Sequence, residues 1–306
     1  MKNTIFTGAG VAIITPMLQD GSVDFEGLKK LIDFQIDNGT DAIIICGTTG
    51  ESSTLSDEEH RDCIRCAVEH THNRIPVIAG TGSNDTKYAI ELSREAQELG
   101  ADGLLLVTPY YNKCTQRGLI AHYTAIADSV DIPIILYNVP SRTGVAIDVA
   151  TVKALGQHKN IVAVKEASGN IGYTAKLAAQ CGDLVDIYSG NDDMIVPIMS
   201  LGGKGVISVL SNVMPKETHQ MTQYCLENNF AAAAKLQLEY LNLINKLFIE
   251  VNPIPVKDAL NQMGMPSGPC RMPLYEMSDE HKAALHDALA AHGLVLILPF
   301  PQKQRM

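Results

Sequence analysis

Ile161-Val162-Ala163-Val164 is apolar at all four positions and stops abruptly at Lys165-Glu166. A strand wetted on one face alternates apolar and polar residues, so an unbroken apolar run indicates a strand covered on both faces, as in a parallel sheet flanked by helices. Seven more runs read the same way: Gly10 to Thr15, Ala42 to Cys46, Val77 to Ala79, Gly103 to Val107, Ile132 to Tyr137, Val185 to Tyr188 and Gly205 to Val209. Between them lie helical patterns such as Phe25-Leu28-Leu31-Ile32-Ile36, Ala89-Leu92-Ala96-Leu99 and Val152-Leu155, with apolar residues three and four apart. Ser56 ahead of Asp57-Glu58-Glu59 has the form of an N-cap and acidic first turn, and Gly39 and Gly100 stand where helices should stop.

Strands recur every ~20 to 35 residues, the length of one βα unit, and eight units are the number that closes a barrel without a free edge. The fold class is therefore read as α/β, a (β/α)8 TIM barrel over 1–230, followed by a helical C-terminal extension over 231–306. An open doubly wound sheet would be expected to carry a glycine-rich fingerprint after its first strand, and Ile13-Ile14-Thr15-Pro16 has none. In the extension, Ala231 to Ile249, Val256 to Gln262 and Asp279 to Ala291 read as helices, separated by stretches around Asn252-Pro253 and Pro266 to Pro273. The apolar, proline-broken tail Leu294 to Pro301 is expected to dock onto a surface or a partner subunit.

The 306 residues are 46% hydrophobic and 19% charged with mean hydropathy +0.05, a composition that supports a large core and excludes a disordered chain. With 24 Lys and Arg against 34 Asp and Glu, the formal charge is −10, which argues against nucleic acid or anionic lipid as partners. The longest apolar stretches fall far short of the roughly 20 residues of a bilayer-spanning helix, so no membrane span is expected. Seven scattered cysteines, an odd number, with no secretory leader, read as free thiols in the cytoplasm.

Reactive groups of such barrels project from the C-terminal ends of the strands. Those ends here are Gly47-Thr48-Thr49-Gly50-Glu51, Thr108-Pro109-Tyr110-Tyr111, Tyr137-Asn138-Val139-Pro140, Lys165-Glu166 and Ser189-Gly190-Asn191-Asp192. An ammonium at the end of so apolar a run loses hydration, which draws its pKa from about 10.4 toward 7 to 8, where the neutral amine attacks carbonyls. Lys165 is thus a Schiff-base candidate; the alternatives are a lysine that snorkels out or pairs with Glu166. Tyr137, on the adjacent strand, reads either as a core tyrosine or as an acid-base group linked through Thr48 and a second tyrosine. Thr48, Thr49 and Gly50 suit a carboxylate or form only a turn. Arg142 is the best fixed cation for a second carboxylate, or else a solvated loop arginine.

Other patterns carry less. His60, Cys63, Cys66 and His70 lie about a turn apart on one helix, but interleaved charges favour a solvated face over a metal site, and no metal or cofactor is expected. Gly202-Gly203-Lys204-Gly205 and Gly80-Thr81-Gly82 could cradle phosphate, though tight turns are the default. No Gly-x-Ser-x-Gly occurs.

Gly47-Thr48-Thr49-Gly50-Glu51-Ser52, Thr108-Pro109-Tyr110-Tyr111-Asn112-Lys113, Tyr137-Asn138-Val139-Pro140-Ser141-Arg142-Thr143-Gly144, Val164-Lys165-Glu166-Ala167-Ser168-Gly169-Asn170 and Asn252-Pro253-Ile254-Pro255-Val256-Lys257 together resemble the dihydrodipicolinate synthase family within the wider N-acetylneuraminate lyase superfamily. The resemblance implies a lyase of the diaminopimelate route to lysine, condensing pyruvate, held as an imine on Lys165, with L-aspartate 4-semialdehyde. It implies a relay of Tyr137, Thr48 and Tyr111, the last reaching in from a neighbouring subunit. Thr49, Gly50 and the backbone around them would hold the pyruvate carboxylate and Arg142 the semialdehyde carboxylate, with Gly190 and Ile207 lining the pocket. A homotetramer of tight dimers is implied as well, with Tyr110 packing across the dimer interface. Ser52, Ser53, His60, Asn84 and Tyr110 match a lysine-effector site, but Asp57 stands where a histidine is usual and Tyr88 where a glutamate would hold the effector's ammonium, so weak or absent inhibition is expected, the alternative being that Asp57 substitutes for the missing carboxylate. The alternatives are a different pyruvate-type aldolase, such as N-acetylneuraminate lyase or a sugar-acid aldolase, and a catalytically silent barrel acting as a binding or regulatory subunit. Arg142 in Ser141-Arg142-Thr143 speaks against the sugar-acid aldolases.

Overall fold

The computed structural model describes residues 4–295. The strands β1 (Gly8–Ala12), β2 (Ala42–Ile45), β3 (Val77–Gly80), β4 (Gly103–Val107), β5 (Ile134–Asn138), β6 (Ile161–Glu166), β7 (Asp186–Ser189) and β8 (Gly205–Ser208) form a closed barrel. Each pairs in parallel with the next, and β8 closes on β1. Around it lie α1 (Phe25–Asp37), α2 (Asp57–Thr71), α3 (Thr86–Glu98), α4 (Gln116–Ala127), α5 (Pro140–Thr143), α6 (Val149–Leu155), α7 (Ile171–Cys181), α8 (Ile195–Ser200) and α9 (Pro215–Leu226). The helices α10 (Phe230–Lys246), α11 (Ile254–Gln262) and α12 (Asp279–Ala291) follow the last barrel helix.

Local chemistry accounts for most boundaries. Ser56 accepts from the Glu59 amide while the Glu59 carboxylate accepts from the Ser56 amide, a complete capping box at α2. Gly39 and Gly100 take φ of 87° and 92° just beyond α1 and α3, where a side chain would be strained. The first strand lies two to three residues earlier than its apolar run suggests. Ile14 is fully buried, but its amide leaves the ladder for the Asn212 side chain (3.2 Å), so burial alone does not make a strand. β5 starts after Pro133, which has no amide to donate to the ladder. β6 runs on through Lys165 and Glu166, past the end of its apolar run.

The pleat divides the apolar residues into two sets. Ala12, Ile44, Ile78, Leu105, Ile135, Tyr137, Ala163, Tyr188 and Ile207 fill the barrel, and a larger set lies between sheet and helices. Gly205 has no freedom to be anything larger, since a Cβ there would lie 1.9 Å from the Gly8 carbonyl oxygen across the β8–β1 seam. Gly202 and Gly203 precede β8 and so belong to the N-terminal rim, away from the strand ends where phosphate loops of barrels sit. The helical face of His60 and Cys63 is not solvated as expected. Both are buried against the sheet, because the spacing that aligns them is also that of the inward stripe of α2.

The helices after the barrel reach back to the strand ends. Lys257 of α11 is 1% exposed, and its Nζ contacts Glu51 Oε1 (2.7 Å), Thr15 O (3.1 Å) and Pro269 O (2.6 Å). Glu51 Oε2 also accepts from the Arg271 amide (2.8 Å), so the turn after β2 is pinned at a residue with φ of 54°. Breaking a buried pair strands one charge in the interior, so Lys257→Met should destabilise the fold by about 3–5 kcal/mol. In urea titrations Glu51→Gln/Lys257→Met should recover part of that loss. From residue 296 on, most of the tail expected to dock lies outside the described residues.

Candidate active site

Because side chains alternate along a strand, Lys165 and Glu166 must face opposite sides of β6. Lys165 points among the interior residues, its Nζ 4.2 Å from the centre of the Tyr137 ring. Glu166 faces the helices, where it accepts from Asn138 Nδ2 (2.7 Å) and the Ser168 amide (2.7 Å). Pairing of the two, the bland alternative for this lysine, is therefore absent. Snorkelling is absent as well, since Lys165 is 6% exposed. Burial lowers its pKa from 10.5 to about 7; the Asp192 carboxylate opposes the shift and Arg142 adds to it.

The barrel register sets a tyrosine on each side of the lysine, Tyr137 on β5 and Tyr188 on β7. Tyr188 stacks on Phe6 with ring centres 4.4 Å apart and donates its hydroxyl to the Phe6 carbonyl (2.6 Å), so its proton is committed. Tyr137 is hydrogen-bonded to Thr48, and burial raises its pKa, so it stays protonated at neutral pH as a proton donor. Gly190 lies where a Cβ would come within 3.2 Å of Lys165 Cε and 2.6 Å of Ala167 Cβ; only glycine lets the end of β7 approach the lysine so closely. Ile207 of β8 is 1% exposed among the same interior residues.

Thr48, Tyr137 and Arg142 line a cavity of about 390 Å³ at the C-terminal ends of the strands. Thr49 is buried beside it, its Oγ1 accepting from Asn252 Nδ2 (3.0 Å), and the Gly50 carbonyl accepts from Thr15 Oγ1 (2.7 Å). Arg142 is exposed, and its Nη2 donates to the Asn252 carbonyl (3.1 Å). Ser52, Ser53, His60 and Tyr110 line the same cavity. His60 donates from Nε2 to the Gly80 carbonyl (2.9 Å), and burial lowers its pKa, so it is neutral at pH 7. Asn84 donates to the Tyr110 carbonyl (3.2 Å) and accepts at its own carbonyl from Asn112 (3.0 Å), which pins the tyrosine turn. Tyr111 does not line the cavity; it is 92% exposed with φ of 68°. Tyr88 donates its hydroxyl to Asp57 Oδ1 (2.5 Å).

Sequence reasoning assigned no role to three residues that meet the site. Tyr188 ended a strand run and was legible only as core. Asp192 is 2% exposed and holds the amides of Val209 and Leu210 on Oδ2 (3.0 and 2.9 Å). Asn252 comes from beyond the barrel, and no periodicity links it to Thr49, 203 residues away in sequence. Among the described residues no cluster of His, Cys, Asp and Glu could hold a metal, and no helix is long and apolar enough to cross a membrane.

Known proteins resemble this chain over nearly its whole length. The chain is 61% identical over 292 residues to a 4-hydroxy-tetrahydrodipicolinate synthase of Lachnoclostridium phytofermentans, covering 95% of this chain and 99% of that one. It is 54% identical to the enzyme of the same name from Acetivibrio thermocellus, over 96% of this chain and all of that one. Its fold superposes on the crystal structure of dihydrodipicolinate synthase from Aquifex aeolicus with a TM-score of 0.93 at 48% identity, over 96% of this chain and 100% of that chain. Residues 5–292 match the dihydrodipicolinate synthetase family, and to that family this chain belongs.

Proposed function

We propose that the protein condenses pyruvate with L-aspartate 4-semialdehyde to 4-hydroxy-tetrahydrodipicolinate, as a Schiff-base-forming lyase of the diaminopimelate route to lysine. The observation that carries this reading is a lysine 6% exposed at the end of β6 with a pKa near 7. A far larger share of it is then neutral at pH 7 than of a solvated lysine, and the neutral amine is the nucleophile. Lys165 Nζ attacks C2 of pyruvate, and the carbinolamine loses water to give a protonated imine. The imine acidifies the methyl carbon, which loses a proton to form the enamine. Enamine carbon then bonds to the aldehyde carbon of the second substrate, whose amino group attacks the imine carbon, closing the ring and freeing Lys165.

Tyr137 is the group next to this nitrogen, and its bond to Thr48 supports a relay in which Thr48 passes protons outward. Tyr111 completes the relay from a neighbouring subunit. Its near-total exposure on a pinned turn suits a residue that works in the partner's site, within a homotetramer built from tight dimers with Tyr110 in the interface. Thr49 and Gly50 hold the pyruvate carboxylate, and Arg142 at the cavity mouth holds the semialdehyde carboxylate. Seven free thiols suit the reducing cytoplasm.

Borohydride trapping with pyruvate tests the imine. A reduced adduct on Lys165 supports it; no adduct leaves the reading of a silent binding barrel. Turnover with aspartate semialdehyde and none with sialic acid separates this activity from the sugar-acid aldolases.

Ser52, Ser53, His60, Asn84 and Tyr110 form the corresponding effector site. Tyr88 occupies the position of the ammonium-binding glutamate, and the nearby Asp57 carboxylate accepts from the Tyr88 hydroxyl. Turnover in millimolar lysine should therefore stay within about twofold of the uninhibited rate, because an ammonium whose only nearby carboxylate is already engaged is poorly compensated for its lost hydration. Half-inhibition at micromolar lysine would contradict this.

A further inference from the structure

Asn252 makes two different contacts with the two groups assigned to carboxylates. Its side-chain amide donates to the Thr49 hydroxyl (3.0 Å), and its backbone carbonyl accepts from Arg142 Nη2 (3.1 Å). The residue is 6% exposed, and its Oδ1 is buried with no hydrogen-bond partner. An unpaired buried acceptor opposes folding, so half of this side chain's hydrogen-bonding capacity is not used by the fold.

We infer that Asn252 is a positioning residue for both substrates, acting through its side chain on the keto-acid site and through its backbone on the arginine. The inference rests on the reaction proposed above. A hydroxyl has one proton and two lone pairs. Once Thr49 Oγ1 accepts from the Asn252 amide, its own proton is left to be donated, and a keto-acid carboxylate is an acceptor that needs such a donor. A water or a hydroxyl in place of the amide could accept from Thr49 and turn that proton away; an amide N–H cannot. The backbone arm holds a flexible guanidinium at the mouth of the cavity, where it would otherwise be free to rotate in solvent.

The two arms separate experimentally because substitution removes only the side chain. Asn252→Ala should raise KM for pyruvate about tenfold, the range of one lost hydrogen bond to a charged system, and leave KM for the semialdehyde within about twofold. Asn252→Asp keeps the shape but can only accept, so Thr49 donates to it; KM for pyruvate should rise further, by about a hundredfold. In a Thr49→Val background either change should add little to KM for pyruvate, as expected for two residues acting as a unit. Asn252→Asp also serves if the alanine variant does not fold. A merely structural role would move both KM values together or lower kcat alone, and either result overturns the inference, as does an unchanged KM for pyruvate in Asn252→Asp. Borohydride trapping of the unaltered protein separates the two levels. If pyruvate leaves no adduct on Lys165, the proposed reaction itself fails; if the adduct forms and the KM split does not appear, only the role of Asn252 fails.

Discussion

Lys165→Met is expected to lower turnover by about 10⁴-fold or more, the scale of losing a covalent nucleophile, and to remove the borohydride-dependent adduct with pyruvate. The expectation follows from geometry. Of the residues lining the interior beside the cavity, Lys165 is the amine, and its Nζ lies over the ring of the one flanking tyrosine whose hydroxyl is linked to Thr48. Tyr188 cannot take over, as its hydroxyl is bound to a backbone carbonyl. The same burial gives a pH signature. With a pKa of about 7, the neutral fraction falls tenfold per unit below that value, so kcat/KM for pyruvate should rise steeply up to about pH 7 and level off above about pH 8. A profile still rising at pH 9 would mean a solvated amine and would end the mechanism.

Stability should move the other way in the same variant. The unfolded chain keeps this proton up to about pH 10.5, while the folded protein releases it above about pH 7. Between those values the unfolded state binds more protons, so stability gained through this group rises with pH, and below pH 7 the whole penalty of a buried ammonium remains. Lys165→Met has no such penalty. Its melting temperature should exceed that of the unaltered protein at pH 7, with the gap closing toward pH 10. The buried nitrogen is thus held at a cost to the fold.

Arg142→Ala should lower kcat/KM for the semialdehyde by about 10- to 150-fold, while pyruvate still forms its imine on Lys165. A hydrogen-bonded contact to a charged group contributes about 1.5–3 kcal/mol, and each 1.36 kcal/mol is tenfold in rate. Larger losses, appropriate to a fully buried pair, are not expected because Arg142 is exposed at the cavity mouth and solvent screens it. Stopped-flow or trapping assays with pyruvate alone, set beside steady-state rates with both substrates, make the comparison. Equal loss in the two steps would show that Arg142 acts on the imine rather than on the second carboxylate. Some coupling is built in, since Arg142 helps to lower the lysine's pKa; its removal should move the pyruvate profile to higher pH.

Much of this was legible in one dimension because the barrel makes each strand end a reactive position. An apolar run that stops at Lys165 says where the amine must be, and a run that stops at Tyr137-Asn138 says what stands beside it. The strand ends were less legible. Apolar Ile13 and Ile14 look like strand and are not, and charged Lys165 and Glu166 do not look like strand but are paired in register, Lys165 with Tyr137 and Tyr188 and Glu166 with Asn138 and Ser189. Hydrophobicity reports burial, whereas the ladder is decided by the neighbouring strand. For the same reason α2 carried an ambiguous stripe, in which His60 and Cys63 turned out to be core.

The chain's own order of residues determined the closed parallel barrel, the lysine at its mouth and the hydroxyls near it, because pleat and helix periods are local and repeat every few residues. Only the tertiary structure decided that Lys165 turns inward while Glu166 turns out, that the Tyr188 hydroxyl is bound to a backbone carbonyl while that of Tyr137 meets Thr48, and that Asn252 and Lys257 return from beyond the barrel to hold Thr49, Arg142 and Glu51. Those outcomes depend on register and on contacts between residues some two hundred positions apart, and no local pattern encodes which distant side chain will arrive.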